Sequence, residues 1–266
     1  GLVPQEVDGR HTLIHLEVEG SIDGLLYSEK HTMRARMSNG VCLTCARRAG
    51  NYFEATVQIR SSARRLSEEE FQVLRRTLDD VLAEMPDDPM FFITSEGPVT
   101  GGYDVVLGSK ALARAWGRHL ISKHGGQVTA TTSVVGRKDG ADLTRLTLLY
   151  RKPGYALGDV IRWRGDLWRP SNWSGDGAVI EKVEKRERTG ATWRDLENAN
   201  VVAQRKDFVY VDSISEDASV AEFLDPNNWK MTAVRLSFEH ERGRKLMLAR
   251  IDGEWICLPR LGVDGE

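Results

Sequence analysis

The order of hydrophobic periods between residues 55 and 150 constrains the fold of this 266-residue chain more than any other feature. Two segments in this region have the spacing of amphipathic helices, and short alternating segments flank them. Along the chain the order is strand, helix, strand, strand, helix, strand, with one further strand. This order predicts a ferredoxin-like α+β domain over residues 51–153.

Start and stop signals place both helices of this domain. Ser67 and Glu70 form a capping-box pattern, so the first helix should begin there and run to about Met85. The second helix should begin after Ser109 and end at Gly125, where glycine suits a helix C-terminus. We expect strands over residues 55–60, 90–94 and 103–107, a turn over residues 96–102, and a hairpin formed by residues 127–135 and 143–150.

The remaining segments read as β structure. After residue 153 the helical pattern disappears, and short apolar runs separated by turn clusters predict two small all-β barrels over residues 154–203 and 204–266. Residues 1–50 hold alternating strands, beginning with residues 11–18, that lead to a pair of cysteines. The sequence therefore predicts four parts, divided near residues 50, 153 and 203.

Cys42 and Cys45 have the spacing of half a zinc site. Two thiolates two residues apart hold one side of a tetrahedral zinc, but a structural ribbon needs four ligands. The third cysteine, Cys257, lies in an apolar run and reads as a small core residue. The chain opens at Gly1 rather than Met, so we expect the other ligands upstream and predict that this chain alone binds little or no zinc.

The charge of the chain is unevenly distributed. Its net charge is -2, yet one basic block between residues 30 and 65 has eight cationic side chains against the single carboxylate of Glu54. Such a block attracts phosphate and indicates RNA contact. The alternative is a solvated face balanced by the three glutamates at residues 68–70. The basic block consists of Lys30, Arg34, Arg36, Arg47, Arg48, Arg60, Arg64 and Arg65.

Two further groups of cationic residues are candidates for RNA contact. Lys110, Arg114 and Arg118 are four residues apart on the second helix and form one cationic row, which is also what an ordinary solvated helix face looks like. In the first barrel, arginines at 162, 164 and 169 are interspersed with tryptophans at 163, 168 and 173. These side chains could stack on bases and bind phosphates, or the tryptophans could fill the barrel.

The ordered motifs of the chain resemble one family. After Cys45 follow Ala-Arg-Arg, the segment NYFEATVQIR at residues 51–60, GGYDVV at residues 101–106 and PGYALGDV at residues 153–160. In this order they resemble the nonsense-mediated decay protein three family, the export adaptors of the large ribosomal subunit. The resemblance covers most of the chain, and it looks like an archaeal-type member that lacks the N-terminal zinc segment.

The resemblance implies both fold and partner. It implies that the two barrels are SH3-like and OB-like, that the full-length protein holds zinc, and that the partner is the large ribosomal subunit, through rRNA and ribosomal proteins. We expect a non-enzymatic cytoplasmic factor in subunit maturation or export-adaptor-like control, with no membrane, DNA or small-molecule partner.

Two alternatives remain open at this point. One is a translation elongation factor-like protein that binds whole ribosomes. The other is an RNA-processing hydrolase, although the sequence has no phosphate-cradling P-loop, no H-E-x-x-H and no G-x-S-x-G motif.

Overall fold

The structure is a computed structural model that describes residues 2–8, 11–36, 40–62, 64–138, 140–185, 187–241 and 243–265. Within these ranges it has three α-helices and nineteen β-strands in five sheets, which makes the chain a mixed α+β protein. The chain divides into two compact units, one ending at Gly50 and the other beginning at Asn51.

The first unit is a three-stranded antiparallel sheet followed by a short helix. Its strands β1 (Leu2–Asp8), β2 (His11–Ile22) and β3 (Leu25–Arg36) lie in chain order, and α1 spans Leu43–Ala49. Asp23 and Gly24 both have positive φ, the requirement of a two-residue type I′ hairpin turn. β2 therefore continues four residues beyond the predicted strand end, up to this turn.

The second unit begins with the predicted α+β domain. Its elements are β4 (Ala55–Ser61), α2 (Glu68–Glu84), β5 (Ile93–Val99), β6 (Gly102–Leu107), α3 (Lys110–His124), β7 (Gln127–Lys138) and β8 (Ala141–Lys152). The sheet order is β5-β6-β4-β8-β7. β8 pairs with β4 in parallel, whereas the other three pairs are antiparallel. β8, the last strand of this domain, therefore lies inside the sheet, next to β4, its first strand.

Local signals place both helices of this domain as predicted. Ser67 Oγ accepts from the backbone N–H of Glu70, and the Glu70 side chain accepts from the backbone N–H of Ser67, which completes the capping box. Ser109 caps α3, and Gly125 ends it with φ 67°. Both helices cover one face of the sheet. The core between the helices and the sheet includes the fully buried Trp116.

The prediction for the strand after α2 was wrong in its position. The strand spans Ile93–Val99 rather than residues 90–94, and it includes Pro98, which the sequence had placed in a turn. β5 is an edge strand of the sheet, and an edge strand tolerates proline because a backbone N–H on that side has no ladder partner.

The rest of the second unit is β structure in three sheets. The first contains β9 (Val160–Trp163), β10 (Asp166–Ser174), β11 (Gly177–Lys182), β12 (Arg188–Thr192) and β13 (Asn200–Ala203), in the order β12-β11-β10-β9-β13. The others are β14 (Val209–Val211) with β18 (Leu246–Ile251) and β19 (Glu254–Cys257), and β15 (Ser215–Glu216) with β16 (Val220–Leu224) and β17 (Met231–Arg235). Across the described ranges none of these sheets closes on itself, so the SH3-like and OB-like barrels stay predictions.

The two predicted barrel segments share one hydrophobic core. Val160 and Val183 from the first segment pack with Phe208, Met247 and Leu258 from the second. The buried Arg169 also joins them, because its guanidinium donates to the carboxylate of Asp264 near the C-terminus at 2.7 Å and 3.0 Å. Buried contacts therefore cross residue 203, and the boundary between the two segments stays a prediction.

Candidate nucleic-acid interface

The hairpin of the first unit gathers three predicted basic residues on one face. Lys30, Arg34 and Arg36 alternate along β3, so their side chains share one side of the sheet. On the same face, His11 pairs in register with Arg36. His15 Nδ1 and Thr32 Oγ1 share a hydrogen bond of 3.0 Å. The β2–β3 pair thus presents a basic strip, with Glu17 beside Lys30 at 3.1 Å as the ion-pair partner at one end.

The end of α1 carries the next two predicted residues. Arg47 and Arg48 lie in the last turn of this helix, where the partial negative charge of the C-terminus favours cations. Arg48 is exposed and Arg47 is half-buried.

The three remaining arginines of the basic block have different environments. Arg60 is half-buried, and its guanidinium donates to the backbone O of Ile59, to the backbone O of Tyr103 and to Asp104 at 2.8 Å. These bonds join β4 to β6, so the structure shows a structural contact for Arg60. Arg64 forms a two-pronged pair with Glu70, both bonds 2.6 Å, whereas Arg65 is exposed.

Two of the three predicted cations on α3 are exposed, and the third is half-buried. Arg114 and Arg118 are exposed and one helical turn apart, which places their Cβ atoms about 6 Å apart. Lys110 is half-buried, and its Nζ donates to Thr144 Oγ1 on β8 at 2.7 Å. The row therefore offers two exposed arginines to a partner and one lysine that also holds the sheet.

The structure adds a basic cleft that the sequence did not predict. We call residues 154–265 the C-terminal half. An open cleft of about 770 Å³ lies where the α+β domain meets this half. Its lining includes Glu70 and four cations: Arg64, Lys152, Arg205 and Lys206. These cations come from three separate parts of the sequence, so no run of basic residues marks the cleft. We call this group the junction cleft.

Glu70 organises the cations at one side of the junction cleft. Its carboxylate accepts from Arg64 and, at 3.1 Å, from Lys152 Nζ. The hydrogen bonds from Arg64 are the main cause that lowers the pKa of Glu70 from 4.5 to about 2. Arg64 and Lys152 are therefore partly neutralised, and Lys206 is an exposed cation of the cleft.

The tryptophan-rich segment is mainly structural. Arg169 is fully buried and paired with Asp264, so its guanidinium is not accessible to a phosphate. Trp168 is buried in the core of the first sheet. Trp163 packs edge-on against Trp168, with ring centroids 5.6 Å apart, and donates its indole N–H to the backbone O of Asp195.

The cysteine pair has the geometry of half a metal site. Cys42 precedes α1, and its Sγ accepts from the backbone N–H of Cys45 at 3.2 Å. Hydrogen bonds from Cys45, the thiol first and then the backbone N–H, lower the pKa of Cys42, while the same thiol contact raises the pKa of Cys45. A lowered pKa favours the thiolate, which is the form that binds metal.

No third ligand accompanies this pair where the structure describes the chain. Among those residues, no group of three or more His, Cys, Asp or Glu side chains could hold a metal ion. Cys42 and Cys45 thus fit zinc in residue type and spacing but supply two of the four ligands of a closed site.

Comparison with known proteins identifies the α+β domain. Residues 52–151 match the family model described as NMD3, second domain. We call residues 52–151, which are similar to an NMD3 second domain, the NMD3 domain. The predicted resemblance to this family is confirmed over these residues, and the NMD3 family is a family of ribosome-associated factors. No curated protein matches the chain.

The matched residues include the exposed α3 arginines, the parallel β4–β8 pair up to Arg151, and Arg64 and Glu70 of the junction cleft. No helix in the described part of the chain is long and apolar enough to cross a membrane.

Proposed function

We propose that this chain is a non-enzymatic, cytoplasmic factor that binds the large ribosomal subunit through rRNA and ribosomal proteins. Its role would be in subunit maturation or in export-adaptor-like control of subunit use. The observation that carries the proposal is the match of residues 52–151 to the second domain of NMD3. In the same proposal the α+β domain is ferredoxin-like in its element order, and the following β segments are SH3-like and OB-like.

Exposed cations in both units support contact with rRNA. Lys30, Arg34 and Arg36 share one face of β3, and Arg114 and Arg118 share one edge of α3. Phosphate contacts of this kind release condensed counterions, and they dominate the affinity of most RNA-binding surfaces. A chain with a net charge of -2 can still bind RNA when its cations are segregated in this way.

The proposal extends to zinc at Cys42 and Cys45. When bound, the metal would supply structural cross-linking, with these two thiolates as half of its ligands. The other ligands would come from outside the described residues. Two thiolates alone lose most of the affinity of a closed site, so we expect elemental analysis of this chain to find well below one zinc per molecule. One stoichiometric zinc would contradict this part of the proposal.

Salt dependence of subunit binding tests the rRNA contact. A quadruple variant, Arg34→Glu, Arg36→Glu, Arg114→Glu and Arg118→Glu, should bind purified large subunits more weakly. The slope of log affinity against log salt should flatten by roughly 0.7 to 0.9 for each phosphate that the variant no longer binds. Circular dichroism would check that the fold is intact.

A matched control separates specific contacts from net charge. Arg76 on α2 and Arg235 on β17 are exposed arginines outside the proposed surface. The double variant Arg76→Glu and Arg235→Glu should leave the slope unchanged. Equal slopes for the quadruple variant and the unaltered chain would contradict the rRNA contact.

Sedimentation distinguishes the proposed role from the two alternatives. Co-migration with free large subunits supports a maturation or adaptor role, whereas co-migration with whole ribosomes supports an elongation factor. Cleavage of rRNA by the purified chain would support a hydrolase and contradict the non-enzymatic proposal.

A further inference from the structure

Trp229 is displayed on the surface of the C-terminal half. Its exposed fraction is 76%, whereas Trp116 and Trp168 are 0% and 4% exposed and the other four tryptophans are half-buried. An indole is the largest apolar side chain, and leaving one in water is unfavourable unless a partner covers it.

The loop that carries Trp229 is internally hydrogen-bonded. It joins β16 to β17, and the buried carboxylate of Asp225 organises it by accepting from the backbone N–H of Asn227 and from the indole N–H of Trp255 at 2.9 Å. The backbone N–H of Trp229 donates to the backbone O of Asp225 at 2.8 Å. The loop is therefore a hydrogen-bonded turn with a defined backbone at Trp229.

The backbone of this turn disfavours the residue that occupies it. Trp229 has φ 59°, in the left-handed region that glycine and asparagine adopt readily and bulky residues rarely do. Asn227 and Asn228 precede it in the same turn. Strain of this kind persists where the surroundings over-determine it, and it is concentrated at functional sites.

Two exposed apolar side chains lie at the base of this loop. Leu224 and Met231 pair directly across β16 and β17 at the base of the loop, and they are 42% and 61% exposed. Lys230, also exposed, lies between Trp229 and Met231 in the sequence. Trp229, Leu224, Met231 and Lys230 form what we call the tryptophan tip.

We propose that the tryptophan tip docks into an apolar pocket of a ribosomal protein of the large subunit, with an acidic group at the rim of that pocket facing Lys230. Tryptophan is the side chain most enriched among residues that dominate protein–protein binding energy, and methionine adapts to irregular apolar pockets. The partner class rests on the proposed function, and the contact itself is independent of the basic surfaces.

The surroundings favour a protein over an unpaired nucleobase. A base that stacks on an aromatic ring brings its phosphates, which single-strand binding proteins meet with a positively charged groove along the backbone. Within the loop, Lys230 is one cation, while both flanking positions at the base of the loop are apolar. An apolar pocket on a protein matches this arrangement better.

Substitutions at position 229 separate binding from folding. Trp229→Gly and Trp229→Asn suit the left-handed backbone, so both variants should be as stable as the unaltered chain or more stable. Both should lose roughly tenfold or more in affinity for purified large subunits, with the same salt slope. The control is Ile214→Ala, which removes another exposed apolar side chain of the same half and should leave affinity unchanged.

A benzophenone amino acid at position 229 identifies the partner. In a complex with purified large subunits, cross-links to a ribosomal protein, absent when the probe is at position 214, support the proposal. Cross-links to rRNA, or unchanged affinity of Trp229→Gly, overturn the tip contact while the chain still binds the subunit. Failure of every version to bind subunits overturns the proposed function together with this inference.

Discussion

At the scale of residues, buried charge pairs connect segments that are far apart in the sequence. Arg169 and Asp264 are 95 positions apart, and both side chains are fully buried. The guanidinium also donates to the backbone O of Gly158 at 2.8 Å and 3.0 Å, so its hydrogen-bonding capacity is well used. Removing Asp264 would leave the charge of Arg169 buried without a counter-ion, and an uncompensated buried charge strongly destabilises a fold.

We predict that Asp264→Ala destabilises the chain by about 3 to 5 kcal/mol, because it leaves the charge of Arg169 buried without its counter-ion. Urea unfolding followed by fluorescence would measure the loss. The matched control is Asp252→Asn, because Asp252 has φ 53°, which asparagine tolerates, and its exposed pair with Arg162 is expected to contribute less than about 1 kcal/mol. Equal effects of both substitutions would contradict the structural role of Arg169.

The stability of the fold should depend on pH through Glu70. The pKa of Glu70 is lowered in the folded chain, chiefly by the hydrogen bonds from Arg64. A lowered carboxylate pKa stabilises the fold above the unfolded value of 4.5, and this contribution disappears as pH falls toward about 2. Because Arg64 is half exposed, solvent screens the pair, and we expect about 1 kcal/mol at pH 7.

Glu70→Gln tests this contribution, because glutamine keeps the capping geometry and removes the charge. Thermal unfolding should show the variant less stable than the unaltered chain at pH 7 and equally stable near pH 2. The control Glu69→Gln changes an exposed neighbouring glutamate and should have no such pH-dependent effect. A constant difference across the pH range would assign the effect of Glu70→Gln to packing.

At the scale of elements, α2 and α3 are joined by one buried hydrogen bond. The indole N–H of Trp116 on α3 donates to Thr77 Oγ1 on α2 at 2.9 Å, and Thr77 Oγ1 donates to the backbone O of Leu74. Both side chains are buried in the core of the NMD3 domain. The hydroxyl of Thr77 thus satisfies the one polar atom of the largest side chain in that core.

We predict that Thr77→Val destabilises the domain by about 1 to 3 kcal/mol, because it keeps the shape and leaves the indole N–H without a partner. Thr77→Ser keeps the hydroxyl and should cost less, although it loses one methyl group. Denaturant unfolding of both variants is the measurement, and a larger loss for serine than for valine would refute the hydrogen bond as the cause.

Sequence predicted those elements whose signals are local. The capping box at Ser67 and the glycine at 125 mark α2 and α3 correctly, because a cap is made within four residues of the helix end. The position of β5 and the helix after Cys42 were missed. A strand's bounds depend on its sheet neighbours, which are distant in sequence, and a seven-residue helix has too few residues for a period.

The candidate site was predictable in the same limited way. Runs of cations pointed to β3 and α3, where the side chains share a face by simple periodicity. The sequence could not predict the structural role of Arg60, because its partner Asp104 is 44 positions away. The junction cleft was missed for the same reason, and Trp229 was missed because exposure is a property of the folded surface.

At the largest scale, an aromatic contact is one of the places where the NMD3 domain and the C-terminal half meet. Trp173 on β10 lies against Gly125 at the end of α3, where an added Cβ would be 2.6 Å from the indole. Tyr155 and Trp193 pack on the same indole. The close approach is possible because position 125 has no side chain.

We predict that Gly125→Ala costs about 2 kcal/mol more than Gly140→Ala. Both glycines have positive φ, but nothing lies within 4 Å of a Cβ at Gly140, so the difference isolates the contact with Trp173. Calorimetry should also show Gly125→Ala unfolding over a broader range as the coupling between the two halves weakens. Equal losses for both variants would mean that Trp173 moves aside freely.

The position of β8 has a consequence for synthesis. It lies between β4 and β7 in the sheet, although it is the last strand of the NMD3 domain to be made. Pairing over such a separation is slow to form, because about ninety residues must close into a loop first. A nascent chain therefore carries both helices with the middle of their sheet unfilled, and the domain can be completed only after residue 152 has left the exit tunnel.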